Sequence, residues 1–340
     1  MLEALHQWLS TSSWTVRGRV NALHAKVDRL ADAVERLQAA QARDDTRNLA
    51  GKIDRLAEAV AEIQGAQKQD EKWKSLFRRQ MNSVIRYFYL ADGDVAAPHA
   101  LAGRRFRLRS QNEEDGIVLA LLKAGALKTR RFVEIGSGGT GGNSGVLAAE
   151  FGWSGLMVDA SARAVEQARF AFGPNPGVKV VQAFVTPDSV NQFVAEHGFG
   201  WEIDVLSIDI DSIDYWILDA LEACRPRVIV MEYNALFGPS RAVTLPNTPV
   251  PDAAPKGYAG ASLAALEKVA SRKGFRLVVC EDMGVNAFFL RNDIAPGIPA
   301  LTPQQAWRPM RRRYDSVSDS RVDLPIDDLI RKFGLPLVEV

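Results

Sequence analysis

Apolar residues at Leu23, Val27, Leu30, Val34 and Leu37 alternate three and four positions apart, and the stripe returns at Ile53, Leu56, Val60 and Ile63. This spacing predicts helices with a narrow a/d seam. The two blocks are near copies, Lys26-Val27-Asp28-Arg29-Leu30-Ala31 against Lys52-Ile53-Asp54-Arg55-Leu56-Ala57. Their offset of 26 residues is not a multiple of seven, so the polar run 43–48 and Gly51 mark a stutter or a break between two helices. A seam this thin does not fold alone in water. It predicts a self-associating coiled coil and hence a homo-oligomer, with an intramolecular hairpin as the plainer alternative. Leu76, Phe77, Met81, Val84, Ile85 and Phe88 then form a broader face among lysines and arginines. That face suits docking onto the next domain or, less ordinarily, contact with an anionic membrane surface.

From about residue 105 the pattern changes to short apolar runs alternating with amphipathic stretches. Strands are expected at 131–135, 155–158, 178–183, 203–208, 227–231, 276–280 and 286–290. Helices are expected at 116–127, from 143, and at 164–170, 188–197, 215–222 and 261–273. Nearly unbroken apolar strands between helices indicate a mostly parallel α/β sheet covered on both faces. The chain divides into a helical region 1–90, a linker 91–107, an α/β domain 108–293 and an extension 294–340.

Composition narrows the picture. The 340 residues are 47% hydrophobic and 24% charged, enough for one full core and an appendage. A net charge of +1 gives no bulk electrostatic case for a nucleic-acid partner. The two cysteines, Cys224 and Cys280, sit in apolar surroundings without metal-like spacing, and four scattered histidines make no metal site. No signal peptide and no apolar run of about eighteen residues is present. A cytoplasmic protein is expected, with contact at the inner membrane face left open by the basic helix.

Candidate chemistry gathers at the strand ends. Phe132-Val133-Glu134-Ile135-Gly136-Ser137-Gly138 reads as a buried strand closing in a glycine turn, and Leu156-Met157-Val158-Asp159 as a second strand closing in a carboxylate. Such a turn lets backbone approach a nucleotide or nucleoside, and the second acid can hold ribose hydroxyls. Asp209, Asp211, Glu232 and Asn234 close two later strands on the same edge, where ligands of open α/β sheets bind. Each acid taken singly could be a helix cap. Together, like charges in one place call for a hard divalent ion such as magnesium.

These residues resemble a class I S-adenosylmethionine-dependent methyltransferase. Ser110-Gln111-Asn112-Glu113-Glu114-Asp115-Gly116, Leu206-Ser207-Ile208-Asp209-Ile210-Asp211 and Val230-Met231-Glu232-Tyr233-Asn234 are most similar to FkbM-like methyltransferases and uncharacterised bacterial relatives. The resemblance covers about 108–293 and implies a Rossmann-like methyltransferase sheet behind the coiled-coil region. It implies that Glu134, Gly136, Ser137 and Gly138 shape the methionine and ribose pocket, with Asp209 beside them. Asp159 and Ala160 would hold the ribose, and Ala183 and Phe184 would border the adenine. The metal would be held by Asp209 or Asp211 with Glu232 and Asn234. Metal-using relatives often place a lysine or histidine base three residues past the first ligand; here that position is Ser212 or Asp214.

The expected activity is metal-assisted O-methylation, with a saccharide or glycan-like hydroxyl as acceptor. Asp211 or Asp214 would take the proton, and Lys256 and Tyr258 are alternative groups on the substrate side. The arginine cluster Arg311-Arg312-Arg313 is either an anion-binding patch or a solvated helix face. Two rivals are a nicotinamide-dependent oxidoreductase and a coiled-coil scaffold carrying a degenerate methyltransferase domain. Missing hydride-site partners count against the first, and carboxylates at every expected strand end against the second.

Overall fold

The computed structural model describes residues 101, 104–105, 107–248, 258–310 and 326–340. The expected coiled coil, the 76–88 helix, Lys256 and the 311–313 arginines lie outside the described residues.

Strands β1 (Arg131–Ile135), β2 (Ser154–Asp159), β3 (Val178–Gln182), β4 (Trp201–Ile208) and β5 (Cys224–Glu232) pair in parallel in the spatial order 3-2-1-4-5. Beyond β5 the chain forms β7 (Phe275–Cys280) and then β8 (Asn286–Arg291), and β8 inserts antiparallel between β5 and β7. The seven-stranded order is therefore β3-β2-β1-β4-β5-β8-β7. This is the expected mostly parallel α/β sheet, and the reversal of β8 is what the hydrophobic pattern did not reveal.

Helices cover the faces: α1 (Glu114–Leu121), α2 (Gly145–Phe151), α3 (Ala162–Phe172), α4 (Val190–Glu196), α5 (Asp214–Ala220) and, after a two-residue β6 (Val243–Thr244), α6 (Leu263–Arg272). Serine hydroxyls start two of them, Ser161 accepting from Ala164 N and Ser262 from Ala265 N. Core-facing Val133, Leu206, Ile229 and Phe289 from the strands pack with Val190, Ile217 and Leu266 from the helices, all at 0% exposure. The helix expected to reach residue 127 instead ends at Leu121 and widens through Leu122–Ala126. There Arg227 binds the carbonyls of Gly125 and Ala126 at 2.8 and 2.7 Å.

At the sheet edge opposite the glycine turn, Asp204 is fully buried within β4. Its carboxylate accepts the backbone N–H groups of Lys128, Thr129 and Arg130 at 2.7–3.1 Å, pinning the approach to β1. The C-terminal residues return to this unit: after α7 (Pro303–Ala306) and α8 (Ile326–Phe333), β9 (Val338–Glu339) pairs with β6. Leu335 and Leu337 pack on Phe237, Val243, Leu245 and Tyr258. Tyr258 is 4% exposed and its hydroxyl donates to Pro336 O, so it clamps the tail instead of facing a substrate. Among the described residues no helix is long and apolar enough to cross a membrane.

Candidate active site

The β1 ladder carries the chain straight into the glycine turn. Ile135 pairs with both Val158 and Ile208, and the N–H groups of Gly136 and Ser137 then both donate to Val158 O. Gly136 (φ 88°) runs so close to β4 that a Cβ there would lie 1.6 Å from Asp209 O. Gly138 (φ 54°) differs, since a Cβ there would meet nothing within 4 Å. The turn therefore packs on protein at its first glycine and faces open space at its second.

That space is a cleft of about 150 Å³ lined by Gln111, Gly136, Ser137, Gly138, Thr140, Gly142, Asn143, Asp209 and Asn286. Four of the expected residues, Gly136, Ser137, Gly138 and Asp209, meet there. Glu134 does not line it. It is fully buried beneath the loop, accepts Asn143 N at 3.1 Å, and leaves its second oxygen without a hydrogen-bond partner. Burial pushes its carboxyl up to about 8, against the pull of Ser144, Ser207 and Asn143. Its place is to prop the loop from below.

Asp159, at the end of β2, ties this turn to the next strand. One oxygen accepts Gly138 N and the other Ser161 N, each at 2.8 Å. Ala160 beside it is exposed, and Ala183 N donates to Asp159 O. Phe184 follows at 70% exposure, a large apolar side chain left in water at the ligand edge of the sheet. Asp159, Ala160, Ala183 and Phe184 thus form a strip beyond β2 and β3.

On the other side of β1, Asp209, Asp211 and Glu232 each place one carboxylate oxygen within 4.8 Å of the others. Asp211 is exposed and adopts a left-handed φ of 57°, uncommon for a residue with a side chain and typical of functional turns. Loss of water raises the Asp209 carboxyl. A hydrogen bond from Glu232 opposes that rise, while Asp211, Glu114 and Asp159 add to it. Glu232 is raised well above the usual range by burial and then by Asp209, Asp211 and Asp214. The donor set, three carboxylate oxygens within 4.8 Å of one another, fits a hard divalent ion, whose charge would offset their mutual repulsion.

Two expected residues take other duties. Asp214, 1% exposed, accepts Ile210 N and Ser212 N at 2.8 and 2.9 Å, stapling the turn that carries Asp209 and Asp211. Burial raises its carboxyl to about 6, and each of its oxygens accepts one backbone N–H in this turn. Asn234 caps the short turn Ala235–Phe237, its Oδ1 accepting Leu236 N and its Nδ2 donating to Ala259 O. The structure thus shows Asn234 as a turn cap, and its expected role as metal ligand stays an expectation from the sequence. Gln111, Thr140, Asn143 and Asn286 were not anticipated. Gln111 lay inside a quoted motif, whereas Asn286 is signalled only by being a polar residue that opens an apolar strand.

No protein-family profile matches the chain, and no curated protein does. Among solved structures it is similar to cofactor-bound Rv0187 from MTB, at 18% identity and a TM-score of 0.36 over 62% of this chain and 95% of that one. It is also similar to an O-methyltransferase from Bacillus cereus in complex with SAH, at 16% identity and a TM-score of 0.35 over 62% and 96%. A third is an S-adenosylmethionine-dependent methyltransferase from Clostridium acetobutylicum, at 11% identity and a TM-score of 0.34 over 63% and 98%.

Proposed function

We propose that this chain is an S-adenosylmethionine-dependent O-methyltransferase assisted by a divalent metal, magnesium being the natural choice. The observation that carries the reading is the meeting, along one sheet edge, of a glycine turn open to a cleft with a cluster of three carboxylates. The two rivals would need only half of that arrangement. A dinucleotide site has no use for the acidic cluster, and a degenerate domain has no reason to keep it.

S-adenosylmethionine, when bound, supplies an electrophilic methyl group, and a divalent ion supplies positive charge that lowers the pKa of an acceptor hydroxyl. The chain's own work is positioning. Gly136 lets the turn pack on the end of β4 and Gly138 lets the main chain approach the donor, Asp159 and Ala160 face its ribose, and Ala183 with Phe184 borders its adenine. Asp209, Asp211 and Glu232 would hold the ion. Asp211 is exposed, and its carboxylate takes the acceptor's proton, directly or through water. Lys256 remains a substrate-side candidate from the sequence.

A saccharide or glycan-like hydroxyl is the proposed acceptor, in keeping with the FkbM-like motifs. The homo-oligomeric coiled coil, cytoplasmic placement and membrane contact likewise stay proposals from the sequence. The deciding experiment is calorimetric titration with S-adenosylhomocysteine and, separately, NAD. Binding of the first alone supports the reading, and binding of NAD alone overturns it. A mass-spectrometric acceptor screen would then identify the product.

A further inference from the structure

Asn286 opens β8 and lines the cleft, yet its side chain is buried at 1% exposure. Its Nδ2 donates to Glu114 Oε1 at 2.9 Å, and its backbone N–H donates to Glu281 Oε1 at 3.1 Å. Glu114 is itself fixed, accepting Asn112 N at 2.7 Å and Asn112 Nδ2 at 3.0 Å. This network decides the direction of the amide. A flip would set the Asn286 oxygen against the Glu114 carboxylate, acceptor against acceptor. The oxygen must therefore face away from Glu114, and there it has no hydrogen-bond partner. A buried acceptor in that state calls for a missing donor or cation.

Its surroundings indicate which. Asn286 lies directly opposite Glu232 in the antiparallel β5–β8 register, so both side chains rise from the same face of the sheet. It shares the cleft with Asp209, whose oxygen clusters with those of Asp211 and Glu232. Carboxylates cannot satisfy a carbonyl oxygen. A hard divalent cation accepts carboxylate and amide oxygens together.

We infer that Asn286 Oδ1 supplies the amide oxygen of a divalent-cation site completed by Asp209, Asp211 and Glu232, with Glu114 setting the direction of the amide. The inference rests on the metal part of the function proposed above and deepens it. It assigns the ligand role expected of Asn234 to a residue on the antiparallel strand.

The test is binding of Mn2+ alone to the full chain, read as a Kd by calorimetry and by electron paramagnetic resonance of free Mn2+. Wild type is expected to bind, and Asp209→Asn to lose binding. Asn286→Leu is expected to weaken binding about tenfold. Asn286→Asp, which puts a charged oxygen in the same place, is expected to tighten it. If Asn286→Leu binds within twofold of wild type while Asp209→Asn does not bind, the inference falls and the metal reading stands. If wild type binds no Mn2+, the metal reading falls with it. Should Asn286→Leu fail to melt cooperatively, Asn286→Asp decides, and an unchanged or weaker Kd overturns the inference.

Discussion

Gly136 and Gly138 lie two residues apart in one turn, and alanine at each should have opposite consequences. At Gly136 the new methyl would sit 1.6 Å from Asp209 O and 2.5 Å from Asp209 C, both backbone atoms of a strand end already bonded to Ile135 O at 2.9 Å. Relief requires β1 and β4 to part. The positive φ adds about 1–2 kcal/mol and the overpacking about 1–3 kcal/mol, so Gly136→Ala should lose roughly 2–5 kcal/mol. At about 2–4 °C per kcal/mol for a domain of this size, Tm should fall by about 4–20 °C. At Gly138 only the φ cost applies, about 1–2 kcal/mol, because nothing stands in the way of the methyl. That methyl enters the cleft, however, so Gly138→Ala should keep most of its stability and lose S-adenosylhomocysteine affinity about tenfold. Circular-dichroism melts and calorimetric titrations of both variants make the comparison. Equal losses of Tm, or unchanged ligand affinity in Gly138→Ala, would refute the assignment of one glycine to packing and the other to the ligand.

Two further outcomes follow from buried acids. Glu134 titrates near 4.5 when unfolded and about 8 when folded, so its protonated form stabilises the fold fully below 4.5. That contribution should be lost as pH rises to about 8, and Glu134→Gln should flatten the decline in urea-unfolding stability across this window; a parallel decline in both proteins would count against it. Asp204→Ala strips the acceptor from three backbone amides and should cost roughly 3 kcal/mol in urea unfolding. A loss under about 1 kcal/mol would show that water replaces the carboxylate there.

Much of this arrangement was legible because local chemistry and global fold agree. Phe132–Ile135 and Ile203–Ile208 are apolar runs long enough to be strands and too short to be buried helices, and their ends carry glycine or acid. Asp209 and Asp211, alternatives for one role in the sequence, lie in one cluster in space, with a left-handed turn at Asp211. A turn staple and a proton acceptor have the same residue type, so the stapling by Asp214 shows only in the two amides at its oxygens. The capping duty of Asn234 is likewise visible only in the contact of its oxygen with Leu236 N. Asn286 was hidden because its importance depends on strand pairing across more than fifty residues, which no local window contains.

The reversed strand also dictates an order of assembly. During synthesis β5 is made well before β8, and until residues 286–291 arrive it has no neighbour on the side away from β4. An apolar edge in that state invites pairing with another chain. The β7–β8 hairpin must slot in as a late wedge, and the same movement delivers Asn286 to the acidic cluster. A nascent chain halted before residue 286 would therefore both carry a sticky flank and lack one member of the proposed cation cage, so binding competence and resistance to aggregation would mature in a single step.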